Sequence, residues 1–244
     1  MTGGFTGRIL KVDLTHERIH AEYLGEVFYR TWLGGYGLGA RIIYKDIAPG
    51  AEPLGPGNVI GFTTGILTGT FSPLGSSFTA VGKSPLTGGW GDSRAGGYFG
   101  AELKCAGFDA VFFYGRSHKP VYLWVDDGRA ELKDASQIWG RDVAETEDAL
   151  RGQRDDKRVQ VASIGPAGEK LSLISCIITD KGQAAARSGL GAVMGSKNLK
   201  AVAVRGTGKV PVADRQKLMD LRKRFVDLAK EEREFYWEYF TKYG

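Results

Sequence analysis

The chain has 244 residues, 42% of them hydrophobic and 25% charged, with a net charge of +5. These proportions are those of a soluble globular protein of one large domain or two small ones, not of a disordered or fibrous chain. Acidic and basic residues are interleaved without a Lys/Arg block, so no nucleic-acid-binding arm is expected. No window reaches the roughly 18 apolar residues of a membrane span. The start MTGGFTGRILKVDL lacks an apolar signal core, so a cytoplasmic location is expected.

In chain order, residues 5–14 and 18–24 alternate as two strands of a hairpin turning at Thr15-His16-Glu17. Residues 26–33 carry a helical pattern that Gly34-Gly35-Tyr36-Gly37 breaks, and a second short helix covers 39–44. Strands are predicted at 59–64 and 77–83, followed by a glycine-rich loop over 88–100 and a helix over 101–106. Strands follow at 110–114 and 121–125, and Asp127-Gly128 marks a hairpin returning through 130–133. An amphipathic helix covers 142–153, strands cover 159–164, 171–179 and 201–204, and Asp214 is placed to cap a helix reaching about Phe240. In that last helix Leu218, Leu221, Phe225 and Leu228 form an apolar stripe with little chain left to cover it. Strands dominate, helices are short and hairpins mix with helical crossovers, which reads as an α+β fold of mixed sheets ending in a helix that begins a second domain.

Glycine is in excess: 36 residues, about twice the usual share of roughly 7%. The glycines sit at the edges of apolar runs, marking tight turns and close backbone approaches. Gly100-Ala101 precedes Ala110-Val111 at the same interval by which Gly191-Ala192 precedes Ala201-Val202. Internal duplication and chance matching of small residues both account for this echo.

Three loops compete for a ligand: residues 68–77, 88–100 and 180–191, the last two running into helix starts, where free N–H groups favour anions. Under duplication these two would face each other, with Arg94 and Arg187 offering guanidinium forks to phosphates. Taken singly, a glycine loop in an α+β domain is structural more often than it is a ligand site. GGYGLGA lacks the context of a dinucleotide fingerprint, and the phosphate loop GxxxxGK[ST] is absent. Tyr36, Trp90, Tyr98 and Phe99 suit a core or a stacked ligand. Cys105 and Cys176 form no CxxC pair, and His16, His20 and His118 have no clustered acidic or cysteine partners. Neither a zinc ribbon nor a four-cysteine iron–sulfur site is built by this chain alone, and no nucleophile–base spacing stands out.

The runs KSPLTGGWGDSRAGGYFGAELKCAGFDAVFFYGRS, DASQIWGRDVAETE, SIGPAGE and RSGLGAVMGSKNLKAVAVRG, with the opening GRILKVDLT and LGGYGLGARIIY, resemble the N-terminal domain of the tungsten-containing aldehyde ferredoxin oxidoreductase family. The resemblance implies a tungstopterin-binding domain over 1–212 and the helical start of a truncated second domain over 213–244. It implies a base for a bis-pyranopterin tungsten (or molybdenum) cofactor whose two pterins are joined through magnesium. The cofactor-binding positions carried over are Ser77, Arg94, Ala95, Gly96 and Gly97 on one side, and Gln183, Ala184, Ala185, Ala186 and Arg187 on the other. Backbone oxygens at Arg94 and Ala184 would lie near the magnesium.

The sequence departs from the family pattern where some members have arginine at the position of Ser77, asparagine at Arg94 and arginine at Gln183. Arginine has no acceptor atom, so the Arg94 side chain is no metal ligand. The family's [4Fe–4S] cysteines lie beyond this chain. Implied partners are therefore the remaining enzyme domains or a subunit carrying the cluster, with ferredoxin as electron acceptor and self-association expected. The implied activity is oxidation of aldehydes to carboxylic acids; the alternative is a non-catalytic pterin-binding subunit.

Overall fold

A computed structural model describes residues 3–154, 156–231 and 238–243. The elements are β1 (Arg8–Asp13), β2 (Arg18–Tyr23), α1 (Glu26–Trp32), α2 (Gly35–Asp46), β3 (Ile60–Thr64), β4 (Phe78–Lys83), β5 (Trp90–Ala95), α3 (Phe99–Cys105) and β6 (Ala110–Tyr114). They continue with β7 (Val121–Asp126), β8 (Arg129–Asp134), α4 (Val143–Gly152), β9 (Gln160–Ser163), α5 (Pro166–Glu169), β10 (Ile177–Thr179), β11 (Gln183–Ala185), α6 (Leu190–Ser196), β12 (Leu199–Arg205), α7 (Arg215–Glu231) and α8 (Tyr239–Tyr243).

The strands form two sheets, β2-β1-β6-β3-β4-β5 and β8-β7-β12-β9-β10-β11. In each, the outer hairpin is antiparallel, the next pair (β1 with β6, β7 with β12) is parallel, and every later pair is antiparallel. The pairing pattern therefore repeats between the halves. In each half a short helix leads into the strand that pairs parallel with the first: α3 into β6, and α6 into β12.

Packing follows from this repeat. The inner faces of both sheets, with α3 and α6 between them, share one core that includes Phe62, Phe78, Phe99, Phe113, Leu190, Met194 and Val202. Leu38 and Ile42 of α2 cover the outer face of the first sheet against Val81 and Phe112. Leu150 of α4 covers the second against Val161 and Ala203. Helix α4 is well specified locally: Asp142 accepts from the Glu145 N–H at 2.8 Å while the Glu145 side chain accepts from the Asp142 N–H at 3.2 Å, a capping box.

Four sequence expectations change. Residues 90–95 form strand β5 rather than loop, because WGDSRA pairs along β4 in full register despite carrying little apolar pattern. Gly35 and Tyr36 do not break the second helix but open it; the break is confined to Leu33 and Gly34, at φ 63° and 144°. The strand expected over 171–179 shrinks to Ile177–Thr179, since residues 166–169 form a helical turn and Leu171 adopts φ 60°. The loop expected over 180–191 contains the short strand β11 and the start of α6. Asp214 does cap α7, accepting from the Lys217 N–H at 2.9 Å. The helix described there ends at Glu231, and part of its expected extension to Phe240 lies outside the described residues.

Candidate functional site

Strands β5 and β11 are the terminal strands of their sheets, and the fold brings them side by side. The Arg187 N–H donates to Ser93 Oγ at 2.9 Å, and the Ser188 hydroxyl donates to the Asp92 carbonyl at 3.0 Å. The Asp92 N–H donates to Ser188 Oγ at 3.3 Å. The two runs singled out from sequence, residues 94–97 and 183–187, thus lie on one surface. Arg94, Gln183, Ala184, Ala186 and Arg187 are exposed there, while the methyls of Ala95 and Ala185 point into the core. Ser77 joins them: Arg94 Nε donates to Ser77 Oγ at 3.0 Å. The remaining guanidinium nitrogens of Arg94, and the whole guanidinium of Arg187, make no hydrogen bond among the described residues.

The helix starts behave differently from the simple expectation. At α3 the Tyr98 N–H donates to the Asp180 carboxylate at 2.9 Å. Gly97, at φ 85°, leaves room for that carboxylate, which a Cβ there would strike. The anion at this helix start is the protein's own side chain. Gly100 and Gly191 likewise serve packing. A Cβ on Gly100 would lie 2.9 Å from the Ser77 carbonyl, and one on Gly191 2.7 Å from the Cys176 carbonyl. Each glycine seats its helix on the residue that precedes a strand, β4 in one half and β10 in the other, so the sequence echo has a shared physical cause.

Beside Arg94 the structure opens a groove, a cavity of about 470 Å³ lined by Leu33, Gly35, Tyr36, Leu67, Gly75, Ser77, Thr79 and Arg94 among others, so the candidate loop 68–77 forms one of its walls. It lies at the start of α2, where no side chain caps the helix and no acidic residue stands in the first turn. The Tyr36 phenol is pushed above its ordinary pKa, first by burial and then by the Asp92 carboxylate it faces, with Arg94 and Arg187 pulling the other way. Asp92 also accepts from Trp90 Nε1 at 2.8 Å. Two sequence signals bore on this groove: the candidate ligand loop 68–77, which supplies Thr68, Leu74, Gly75 and Ser77 to its wall, and the LGGYG run, read there as a helix break.

Among the described residues no group of three or more His, Cys, Asp or Glu side chains is placed to hold a metal ion. Cys105 and Cys176 are free thiols, and burial pushes the Cys105 thiol up. Among the described residues the His16 ring pairs with Asp13 alone, at 2.7 Å. A metal on this surface would therefore be held through backbone oxygens and the groups of a ligand. The surface suits such a ligand in three respects: two adjoining strand edges, two guanidinium groups with free nitrogens, and an uncrowded Gly96, where a Cβ would meet nothing nearer than 3.4 Å.

Two buried lysines tie separate segments of the chain together through backbone carbonyls. Lys104 Nζ donates to the Gly65 carbonyl at 2.6 Å and to that of Gly4, with Asp109 Oδ1 3.8 Å away. Burial pushes its pKa down to about 8. Lys197 Nζ donates to the carbonyls of Asn58 at 2.5 Å and Gly115 at 2.7 Å, tying the second half to the first. Burial, with a smaller effect from Arg116, lowers its pKa to about 7.

The fold is thus a repeated α+β core whose two terminal strand edges meet beside a groove. The sequence pattern of the aldehyde ferredoxin oxidoreductase N-terminal domain matches residues 9–206, and the chain belongs to that family. It is 45% identical over 229 residues to the tungsten-containing aldehyde ferredoxin oxidoreductase of Pyrococcus abyssi, a match covering 94% of this chain and 38% of that protein. It is 35% identical over 237 residues to the WOR-like subunit of an aliphatic sulfonate oxidoreductase of Pyrococcus furiosus, covering 91% and 38% respectively. Among solved structures, the active-site complex BamBC of benzoyl coenzyme A reductase with 1,5-dienoyl-CoA superposes with a TM-score of 0.93 at 35% identity, over 96% of this chain and 36% of that one. The chain thus spans well under half the length of these relatives. Among the described residues no helix is long and apolar enough to cross a membrane.

Proposed function

We propose that this chain is the cofactor-bearing base of a tungsten oxidoreductase, with residues 1–212 as the tungstopterin-binding domain and 213–244 as the start of a further helical domain. The observation that carries the reading is the meeting of residues 94–97 with 183–187 on the edges of β5 and β11, within a chain of this family. Arg94 and Arg187 would hold pterin phosphates by charge-assisted hydrogen bonds. Backbone N–H groups of Gly96, Gly97, Ala185 and Ala186 would meet pterin or phosphate. Carbonyls of Arg94 and Ala184 would lie toward a bridging magnesium, an ion that takes oxygen ligands. Ser77 orients Arg94 through its hydroxyl, and Gln183 borders Gly96.

When bound, the cofactor supplies the two-electron chemistry that oxidises an aldehyde to a carboxylic acid. The residues of this chain bind and orient it. Passing electrons to ferredoxin requires a [4Fe–4S] cluster from the remaining domains or from a partner subunit, so the chain alone is expected to be inactive. A second reading, a pterin-binding subunit that always works with a separate cluster-bearing chain, is favoured by the apolar stripe on α7, where Leu221 and Leu228 are about half exposed. Self-association and a cytoplasmic location accompany either reading.

Metal and pterin analysis of the purified chain, alone and co-expressed with its remaining domains or neighbouring gene products, tests this. The expected result is tungsten or molybdenum with two pterins per chain in the co-expressed form. A protein that takes up neither under any of these conditions overturns the reading.

A further inference from the structure

The turn between β10 and β11 holds a conformation that its own residues do not favour. The Gly182 N–H donates to the Thr179 carbonyl at 3.1 Å, and the two residues between, Asp180 and Lys181, have φ of 49° and 56°. The β7–β8 hairpin turns through the same left-handed region with Asp127-Gly128, where glycine takes the second place without steric cost. In the β10–β11 turn that place holds a lysine. A side chain in this conformation persists where its surroundings over-determine it.

Those surroundings come from both halves of the molecule. The Lys181 N–H donates to Glu147 Oε2 of α4 at 3.0 Å. Glu147 is 2% exposed and is itself held by Arg151 Nη1 at 2.5 Å, on a helix whose start is fixed by a capping box. On the other side, the Asp180 carboxylate accepts from the Tyr98 N–H, directly after the 94–97 run. The ion pair of Lys181 with Asp148, at 2.6 Å, joins groups 45% and 63% exposed, so solvent screening makes it the weaker tether. The buried Glu147 bond is what ties the turn to α4. Strand β11 needs such a tie: it is a terminal strand of three residues laddered to β10. Where it starts decides how Gln183 meets Gly96, whose Cβ would sit 3.4 Å from Gln183 Oε1. We infer that Glu147 is a positioning residue: through the Asp180–Lys181 turn, α4 sets the place of the 183–187 run against the 94–97 run. Neither Glu147 nor the turn belongs to those runs. The inference rests on the cofactor reading for what the two runs carry, but the clasp itself does not depend on it.

The test measures amide hydrogen exchange in the 244-residue chain without cofactor. Glu147→Leu removes the acceptor and should speed exchange of amides 183–187 about tenfold or more, as loss of a hydrogen bond to a charged group does. Glu147→Gln keeps an acceptor and should stay within about threefold of the parent chain. The decisive variant is Lys181→Gly, which keeps the N–H and removes the strain. Added to Glu147→Leu, it should bring exchange of 183–187 back to within about threefold of the parent. A carboxylate that merely fills space beside Arg151 gives no such rescue, because a glycine in the turn does not mend α4. Unchanged exchange at 183–187 in Glu147→Leu overturns the inference, as does faster exchange that Lys181→Gly fails to reverse. Where Glu147→Leu alone does not fold, recovery of the folded chain in the double variant is the rescue, and no recovery overturns the inference. Tungsten and pterin content of the co-expressed protein separates this result from the cofactor reading. Normal loading with unchanged exchange in Glu147→Leu loses the clasp and keeps the cofactor reading. Rescue of exchange in a chain that never loads cofactor does the reverse.

Discussion

The two halves of the molecule share a strand order and differ in what fills it. Between β2 and β3 the first half inserts α1 and α2; between β8 and β9 the second inserts α4. Helix α4 starts on a closed capping box, whereas α2 starts uncapped over a groove. The residues heading the parallel strands differ too. Asp109, just before β6, is a buried carboxylate that accepts from the N–H groups of Thr6 at 2.9 Å and Gly7 at 2.8 Å, and from the Tyr29 hydroxyl at 2.7 Å. Lys200, early in β12, is a buried cation that donates to Glu169 at 2.5 Å and to the Arg141 carbonyl at 2.8 Å. The repeat supplies the paired edges; the insertions and polar anchors make one half open and the other closed.

The anchors give the sharpest way to break this comparison. Asp109→Ala should cost about 3–5 kcal/mol, because it strips the partner from Lys104 and unpairs two backbone donors. Urea unfolding measures this, and a loss under 1 kcal/mol would show that the N-terminal segment is not held this way. Next come the equivalent glycines. Gly100→Ala and Gly191→Ala should each cost about 1–3 kcal/mol as the helix is forced off its strand. Gly152→Ala, where a Cβ meets nothing within 4 Å, should be neutral or stabilising. Unequal losses at positions 100 and 191 would break the equivalence of the halves.

The buried lysines sharpen the picture through pH. The folded pKa values of Lys197, about 7, and Lys104, about 8, lie below the ordinary 10.5. The unfolded chain therefore binds more protons across that interval, and stability should rise as pH increases from about 7 toward 10. Thermal melts at pH 7, 8 and 9 check the sign, and Lys197→Met should flatten the slope while lowering stability overall. The smallest effect is expected at α3. Asp180→Ala should cost about 0.5–2 kcal/mol in urea unfolding, as loss of a helix cap does, and no loss would show that Asp180 does not hold the start of α3.

What the sequence made legible follows from where the physics is local. Apolar alternation located β1 and β2, apolar runs located β3, β6 and β7, and Asp127-Gly128, with φ of 41° and 85°, located the hairpin between β7 and β8. Strand β5 was illegible because WGDSRA places three polar residues in a row, Asp92, Ser93 and Arg94, and offers no apolar alternation; its conformation is imposed by pairing with β4. The start of α2 was misread because glycines were weighed by helix propensity alone. Gly39 is required there by the approach of Val81, whose Cγ1 would lie 2.8 Å from its Cβ. Arg94 and Arg187 were found as isolated cations. Their nearness became visible only when Ser93 and Ser188 joined the two strand edges. Thr79 carried no sequence signal, since a threonine in a strand is ordinary.

Hydrogen exchange of the cofactor-loaded protein against its empty form tests the central claim most directly. A ligand resting across both edges predicts simultaneous protection of amides in residues 93–97 and 183–187, with little change on the outer strands β2 and β8. Protection confined to one of the two runs, or to neither while the cofactor is bound, would contradict a shared base formed by β5 and β11.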